Sequence, residues 1–176
     1  MIRNAKYILD SRYLLLLYNS LILPFFTYCI QTWGNNYQTK FSKLISLQKK
    51  AIRVIDHADW NDHTSPLFRK HNLLKFPDLV KYANINVMHN YLCHKLPIPI
   101  ADRFALDEHT PRRFVRPNCH FAVPFASTNY CKFSLFVSAP SQWNDCIATK
   151  IRNLDDVPRN KLFFKKVVKK LFTENY

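Results

Sequence analysis

FSKLISLQKKAIRVI, residues 41–55, is the stretch on which the fold turns. Wound at about 100° per residue, it places Phe41, Leu44, Ile45, Gln48, Ile52 and Ile55 on one face. Lys43, Lys49, Lys50 and Arg53 fall on the other. An apolar stripe of this width needs a core to bury it, and the basic stripe behind it stays free for a partner. Thr39 is placed to cap the helix, which is expected over about residues 40–57.

On the N-terminal side, YLLLLYNSLILPFFTYCI (residues 13–30) predicts a long apolar helix. Asp10 or Ser11 would cap it, Pro24 would kink it, and Gly34-Asn35-Asn36 would end it after Trp33. The run is long enough to suggest a membrane span. Asn19, Ser20 and Pro24 interrupt it, however, and positive charge lies on both flanks, so a buried helix is the preferred reading. A membrane-associated basic helical protein stays open as an alternative.

On the C-terminal side, Thr64-Ser65-Pro66 opens a short helix, with proline where a first turn tolerates it. Phe76-Pro77-Asp78 opens a longer one, apolar on most sides and so central, which Pro97 and Pro99 should end. Residues 101–118 change character: Arg103, Arg112, Arg113 and Arg116, with Pro111 and Pro117, read as an extended basic linker. Residues 120–124 and 132–137 have strand-like content and are joined by the turn-prone Ser127-Thr128-Asn129, which predicts a small hairpin. Pro140-Ser141-Gln142-Trp143 should start a brief helix. The last helix, about residues 159–172, is expected to set Phe163, Phe164, Val167 and Leu171 opposite Lys165, Lys166, Lys169 and Lys170. The expected fold is mainly α, a helical bundle with a small β-hairpin and short helices near the C-terminus. The expected parts are a helical domain over residues 1–97, a basic linker over 98–118 and a small α+β segment over 119–176.

Composition narrows the function. The 176 residues are 48% apolar and 15% aromatic, enough for a genuine core. Twenty-six Lys and Arg against 12 Asp and Glu give +14, a balance that favours polyanions, nucleic acid first and an anionic membrane second. The bland reading is a merely soluble basic protein. Gly34 is the one glycine. Phosphate-cradling loops and dinucleotide-binding turns need several, so both classes are excluded. Cys29, Cys93, Cys119, Cys131 and Cys146 show no paired spacing, which suits reduced thiols inside the cell, nuclear or cytoplasmic. The charged N-terminus MIRNAKYILDSR has no secretory pattern.

Three constellations could carry chemistry. DHADWNDH (residues 56–63) is rich in acids and histidines, but its spacing fits no standard metal site, and its place between two helices suits caps and turns. His89 and Cys93 stand one helical turn apart and are read as a bonded histidine and a buried thiol. Leu154-Asp155-Asp156 mimics a polymerase acid pair but leads into a helix, and no third carboxylate is in view. No catalytic residue, metal or cofactor is expected. The binding residues are expected to be Lys43, Lys49, Lys50, Arg53, Arg112, Arg113, Arg116, Lys165, Lys166, Lys169 and Lys170. Tyr37, Phe114 and Phe121 are the interleaved aromatics available for stacking.

The string LYNSLILPFFTYCIQTWGNNYQTKFSKLISLQKKAIRVI (residues 17–55) resembles the region after the polymerase core in LINE-type, non-LTR retrotransposon reverse transcriptases. The residues that carry the likeness are Leu17, Tyr18, Ser20, Leu21, Ile22, Pro24, Thr27, Tyr28, Ile30, Trp33 and Gly34. Leu47, Gln48, Lys49, Ala51, Ile52, Arg53 and Ile55 continue it. Asp62-His63-Thr64, Pro66-Leu67-Phe68, Leu73-Leu74-Lys75 and Asp78-Leu79 follow. Ser134, Pro140, Trp143, Asn144, Ile151 and Phe164-Lys165-Lys166 complete an ordered set over nearly the whole chain. The resemblance implies a thumb-like helical region with a C-terminal extension that grips a template–primer duplex, RNA–DNA or DNA. The palm with its metal-binding aspartates would lie before residue 1, so no polymerase activity is expected from the chain alone. It would work with a separate or upstream polymerase core and take no small-molecule substrate. A stand-alone nucleic-acid-binding module and a relic fragment are the alternatives.

Overall fold

The computed structural model describes residues 2–104, 121–148, 156–174 and 176. It is mainly α, as the sequence predicts. The helices are α1 (Ile2–Ala5), α2 (Ser11–Leu17), α3 (Leu23–Thr27), α4 (Ile30–Trp33), α5 (Ser42–Ile55) and α6 (Thr64–Lys70), then α7 (Phe76–Leu92), α8 (Ile98–Ala101), α9 (Asn129–Lys132), α10 (Leu135–Trp143) and α11 (Lys161–Thr173). They fall into two compact units, residues 1–30, 36–79 and 169–176 in the first, and 31–35 and 80–168 in the second. The boundary expected between residues 97 and 98 falls inside the second unit.

The apolar N-terminal stretch does not form one kinked helix. A single wide turn over Tyr18–Ile22 joins α2 to α3, with Pro24 in the first turn of α3. Proline cannot donate to the preceding turn, and the wide turn absorbs the missing bond. The real break comes later. Tyr28 is extended and Cys29 has φ 46°, so α4 starts afresh. No helix among the described residues is long and apolar enough to cross a membrane.

In the first unit, Leu14, Tyr18, Ile52, Ile55, Phe68 and Leu73 form the buried core. Each side chain of that size contributes about 1.5–3 kcal/mol when fully buried. The stripe anticipated on α5 is the face that turns inward, since Gln48, Ile52 and Ile55 are its buried residues. Gln48 is polar and 1% exposed. Its Nε2 donates to the Tyr18 hydroxyl at 3.1 Å and to the Leu74 carbonyl at 2.9 Å, and its Oε1 accepts from the Phe76 N–H at 2.8 Å. Tyr176 closes the same unit. Its hydroxyl donates to Asp78 Oδ2 at 2.6 Å and accepts from the Lys75 N–H at 3.0 Å, while its ring meets Phe68 edge-on.

The second unit is built on aromatic contacts. Phe136, Phe104, Tyr91, Phe121, Trp143 and Phe164 follow one another with ring centroids 5.5–5.8 Å apart. Such pairs add about 0.5–1.5 kcal/mol each beyond their buried area. Within α7, Lys81 alone is fully exposed, consistent with the central helix expected there.

The predicted hairpin is a correction. Residues 132–137 are largely helical, because Thr128 Oγ1 accepts from the Cys131 N–H to cap α9 and Ser134 Oγ accepts from the Phe136 N–H to cap α10. Side-chain oxygens in such positions favour helix starts over strands. Phe121 instead has its backbone bonded by the Asn144 amide, which accepts from its N–H at 3.2 Å and donates to its carbonyl at 2.8 Å. Pro140 sits inside α10 and does not start a helix.

Replacing Gln48 with Leu keeps the volume but removes the three hydrogen bonds that the buried amide makes with Tyr18, Leu74 and Phe76. The expected loss in urea unfolding is about 3 kcal/mol. A loss under about 0.5 kcal/mol would show that water replaces the amide at no cost.

Candidate nucleic-acid interface

Helix α5 presents its cations on the side away from the buried Gln48, Ile52 and Ile55. Lys43, Lys49 and Lys50 are exposed and Arg53 is half-buried. Lys43 and Lys50 also line a shallow groove of about 350 Å³, together with Ser42, Ser46 and Leu47. The first lysine and the last are seven residues apart, about 10 Å along the axis. The face therefore combines mobile ammonium groups, two hydroxyls and one apolar side chain. That mixture suits a sugar–phosphate backbone.

Arg53 has a second duty. Its Nε and Nη2 donate to the Asp62 carbonyl at 3.1 and 2.9 Å, which fixes the loop after α5. Asp62 Oδ2 accepts from the Asp59 N–H at 2.8 Å, and His57 adopts φ 53°. Asp56 accepts from Lys70 at 2.6 Å and lies 3.1 Å from His71 Nε2. Asp56 and Asp62 thus do the loop-shaping work expected of them. No group of acids, histidines and cysteines among the described residues is placed to hold a metal ion.

The loop also presents Trp60, 68% exposed. Its ring centroid lies 5.2 Å from Lys50 Nζ and 5.9 Å from the Arg53 guanidinium carbon. Nothing in the sequence singles out Trp60, because its polar neighbours carry only a loop signal and its exposure depends on how that loop is anchored. The aromatics named from the sequence fare differently. Tyr37 is half-exposed, Phe121 is buried between Tyr91 and Trp143, and Phe114 lies outside the described residues.

The remaining basic positions divide. Arg112, Arg113 and Arg116 lie outside the described residues. On α11 the register differs from the expected one. Phe164 and Val168 are buried, Phe163 is exposed, and Lys165 and Lys169 are half-buried. With aromatics at both 163 and 164, the sequence allows two registers, and stacking of Phe164 on Trp143 accompanies the one adopted. Lys166 and Lys170 are exposed, and Lys170 lies 3.7 Å from Glu174. Burial holds the Lys169 ammonium below the ordinary lysine range. Lys165 and Lys166 belong to the second unit, and Lys169 and Lys170 to the first. The four cations of α5 are therefore the group that the structure places on one face.

His89 and Cys93 form a structural pair. His89 is buried and stacked on Phe164 at 4.1 Å, and its Nε2 donates to the Pro158 carbonyl at 2.8 Å. Cys93 is half-buried, with Sγ 3.8 Å from that nitrogen and 3.8 Å from the Arg159 carbonyl.

Comparison with protein-family models, curated proteins and solved structures found no match for this chain.

Two groups set the acid response. Burial lowers the His89 pKa below its ordinary 6.5, the Pro158 carbonyl opposes this, and Lys95 and Lys161 add to the lowering. The unfolded chain therefore takes up the proton first, so this contribution is complete above pH 6.5 and fades as pH falls through the folded value. Burial would raise Asp56, but the hydrogen bonds and charges of Lys70 and His71 outweigh it and hold the carboxyl below 3.8. Its contribution is present above that value and is lost in stronger acid. Urea unfolding followed from pH 7 to pH 5 should show falling stability, and His89→Gln should flatten that slope. An unchanged slope in the variant would remove His89 as its source.

Proposed function

We propose that this chain grips a nucleic-acid duplex, RNA–DNA or DNA, without sequence preference. The work is that of the thumb and C-terminal part of a LINE-type reverse transcriptase, with no polymerase activity of its own. The observation that supports the reading most is the outward side of α5, which carries Lys43, Lys49, Lys50 and Arg53, two of which, Lys43 and Lys50, line a shallow groove. Flexible ammonium groups on a helix neutralise phosphates and release counterions whatever the base sequence. A thumb needs contacts of this kind because it must pass along any template. The net charge of +14 adds long-range attraction.

Peripheral membrane association is the second reading. It draws on the exposed Tyr7, Ile8, Leu16, Phe25 and Tyr28 of the first unit. Co-sedimentation with anionic lipid vesicles, together with no binding to the RNA–DNA hybrid, would favour it over the duplex reading.

Fluorescence anisotropy with a labelled RNA–DNA hybrid is the direct test. Three lysines alone give a log–log salt slope of about −2.7, or an about 40-fold loss of affinity between about 50 and 200 mM salt. A slope near zero, or no binding at the low-salt end, would exclude phosphate gripping. Primer extension by the purified chain is expected to yield no product. Synthesis of cDNA would contradict the absence of polymerase activity.

A further inference from the structure

We infer that Trp60 is a stacking platform for an unpaired base at the end of the α5 track, so that the chain prefers a duplex with a single-stranded extension over a blunt one. The inference rests on the duplex-binding reading above and names the part of the nucleic acid that the loop takes.

Large exposed indoles in polar loops are unusual, and this one has a fixed address. The Asp62 carbonyl holds the Arg53 guanidinium, and Arg53 and Lys50 both approach the Trp60 ring. Two cations beside an aromatic face keep it near helix α5 without burying it, and 68% of the residue stays open to solvent. Lys50 also lines the groove with Ser42, Lys43, Ser46 and Leu47. One lysine therefore borders both the phosphate track and the ring. From Lys43 to Lys50 the helix rises about 10 Å, about three nucleotide steps of one strand.

Charge decides which part of the nucleic acid meets the loop. Asp59 and Asp62 stand on either side of Trp60 in sequence and repel phosphates there. The Asp62 carboxylate is turned back onto the Asp59 N–H. A backbone held by Lys43 and Lys50 would thus meet an acidic loop whose attractive surface is the indole. An aromatic ring takes up bases by their π-faces, which are covered by neighbours inside a duplex and open only in unpaired nucleotides. A paired helix that ends on the groove, with its unpaired strand passing over Trp60, satisfies both conditions.

The test compares two probes on the full chain at about 50 mM salt: a blunt RNA–DNA hybrid, and the same hybrid with a short single-stranded DNA extension. Wild type should bind the extended probe about fivefold or more tightly, the scale of one stacked base. Trp60→Ala should remove that preference, and Trp60→Phe should keep part of it. Indole emission should be quenched by the extended probe in wild type and not in Trp60→Phe. The exposed position makes folding of both variants safe to expect, and a circular dichroism melt checks it. Equal affinity of wild type for both probes, or an extension preference that survives in Trp60→Ala, would overturn the platform while leaving the phosphate grip standing. If wild type bound neither probe, the duplex reading itself would fall, and the platform with it.

Discussion

The amide of Gln48 is the constraint on which the basic face depends. A glutamine at 1% exposure is costly unless its groups are bonded, and here both oxygen and nitrogen are. Its three partners come from the turn after α2, the chain before α7 and the first residue of α7. One side chain on α5 therefore ties that helix to two segments distant in sequence, and does so by direction as well as by area. Ile52 and Ile55 supply the apolar part of the same contact. With the inward face fixed in rotation, Lys43, Lys49 and Lys50 can point only outward. The outward placement of these lysines is thus a consequence of how the core is keyed.

The second unit meets a similar problem with different chemistry. It is held by aromatic pairs and by His89, whose imidazole stacks on Phe164 and bonds the Pro158 carbonyl. Polar groups run along α7 as well. Asn84 donates to Asn35 at 2.7 Å and to Gln142 at 2.9 Å. The side-chain oxygens of Asn84, Asn86 and Asn90 are buried without a partner among the described residues. Each such acceptor costs about 1–3 kcal/mol relative to a bonded one. Burial holds the His89 pKa below 6.5, so this unit loses stability as the pH falls below that value.

Much of the fold was legible in the sequence where apolar periodicity was strong, although the expected cap at Thr39 is not formed and α5 starts after Phe41. Residues 41–55 have one apolar face, and the helix openings at Thr64 and Phe76 carry prolines in the first turn, where the missing N–H needs no partner. The reading failed where one residue type serves two structures. Thr128 and Ser134 look like turn and strand residues but act as helix caps. The apolar run before residue 30 gives no hint that it breaks at Tyr28 and Cys29, since neither residue is a breaker by type. On α11 the expected register, with Phe163 on the apolar side, was wrong: Phe164 and Val168 are the buried pair, and Phe164 stacks on Trp143. Of the site, the α5 cations were visible and Trp60 was not, because exposure of a lone aromatic in a polar loop depends on where Arg53 anchors that loop.

The central claim is that most of the affinity resides in one face of α5 and only a smaller part in the diffuse charge of the chain. Two triple variants separate the possibilities, Lys43→Glu with Lys49→Glu and Lys50→Glu, and Lys81→Glu with Lys95→Glu and Lys132→Glu. All six lysines are exposed, and both triples change the net charge equally. Affinity for an RNA–DNA hybrid at about 100 mM salt should fall by about 30-fold or more in the first triple and by at most a few-fold in the second. Equal losses in the two would contradict the account and assign binding to the diffuse charge of the whole chain.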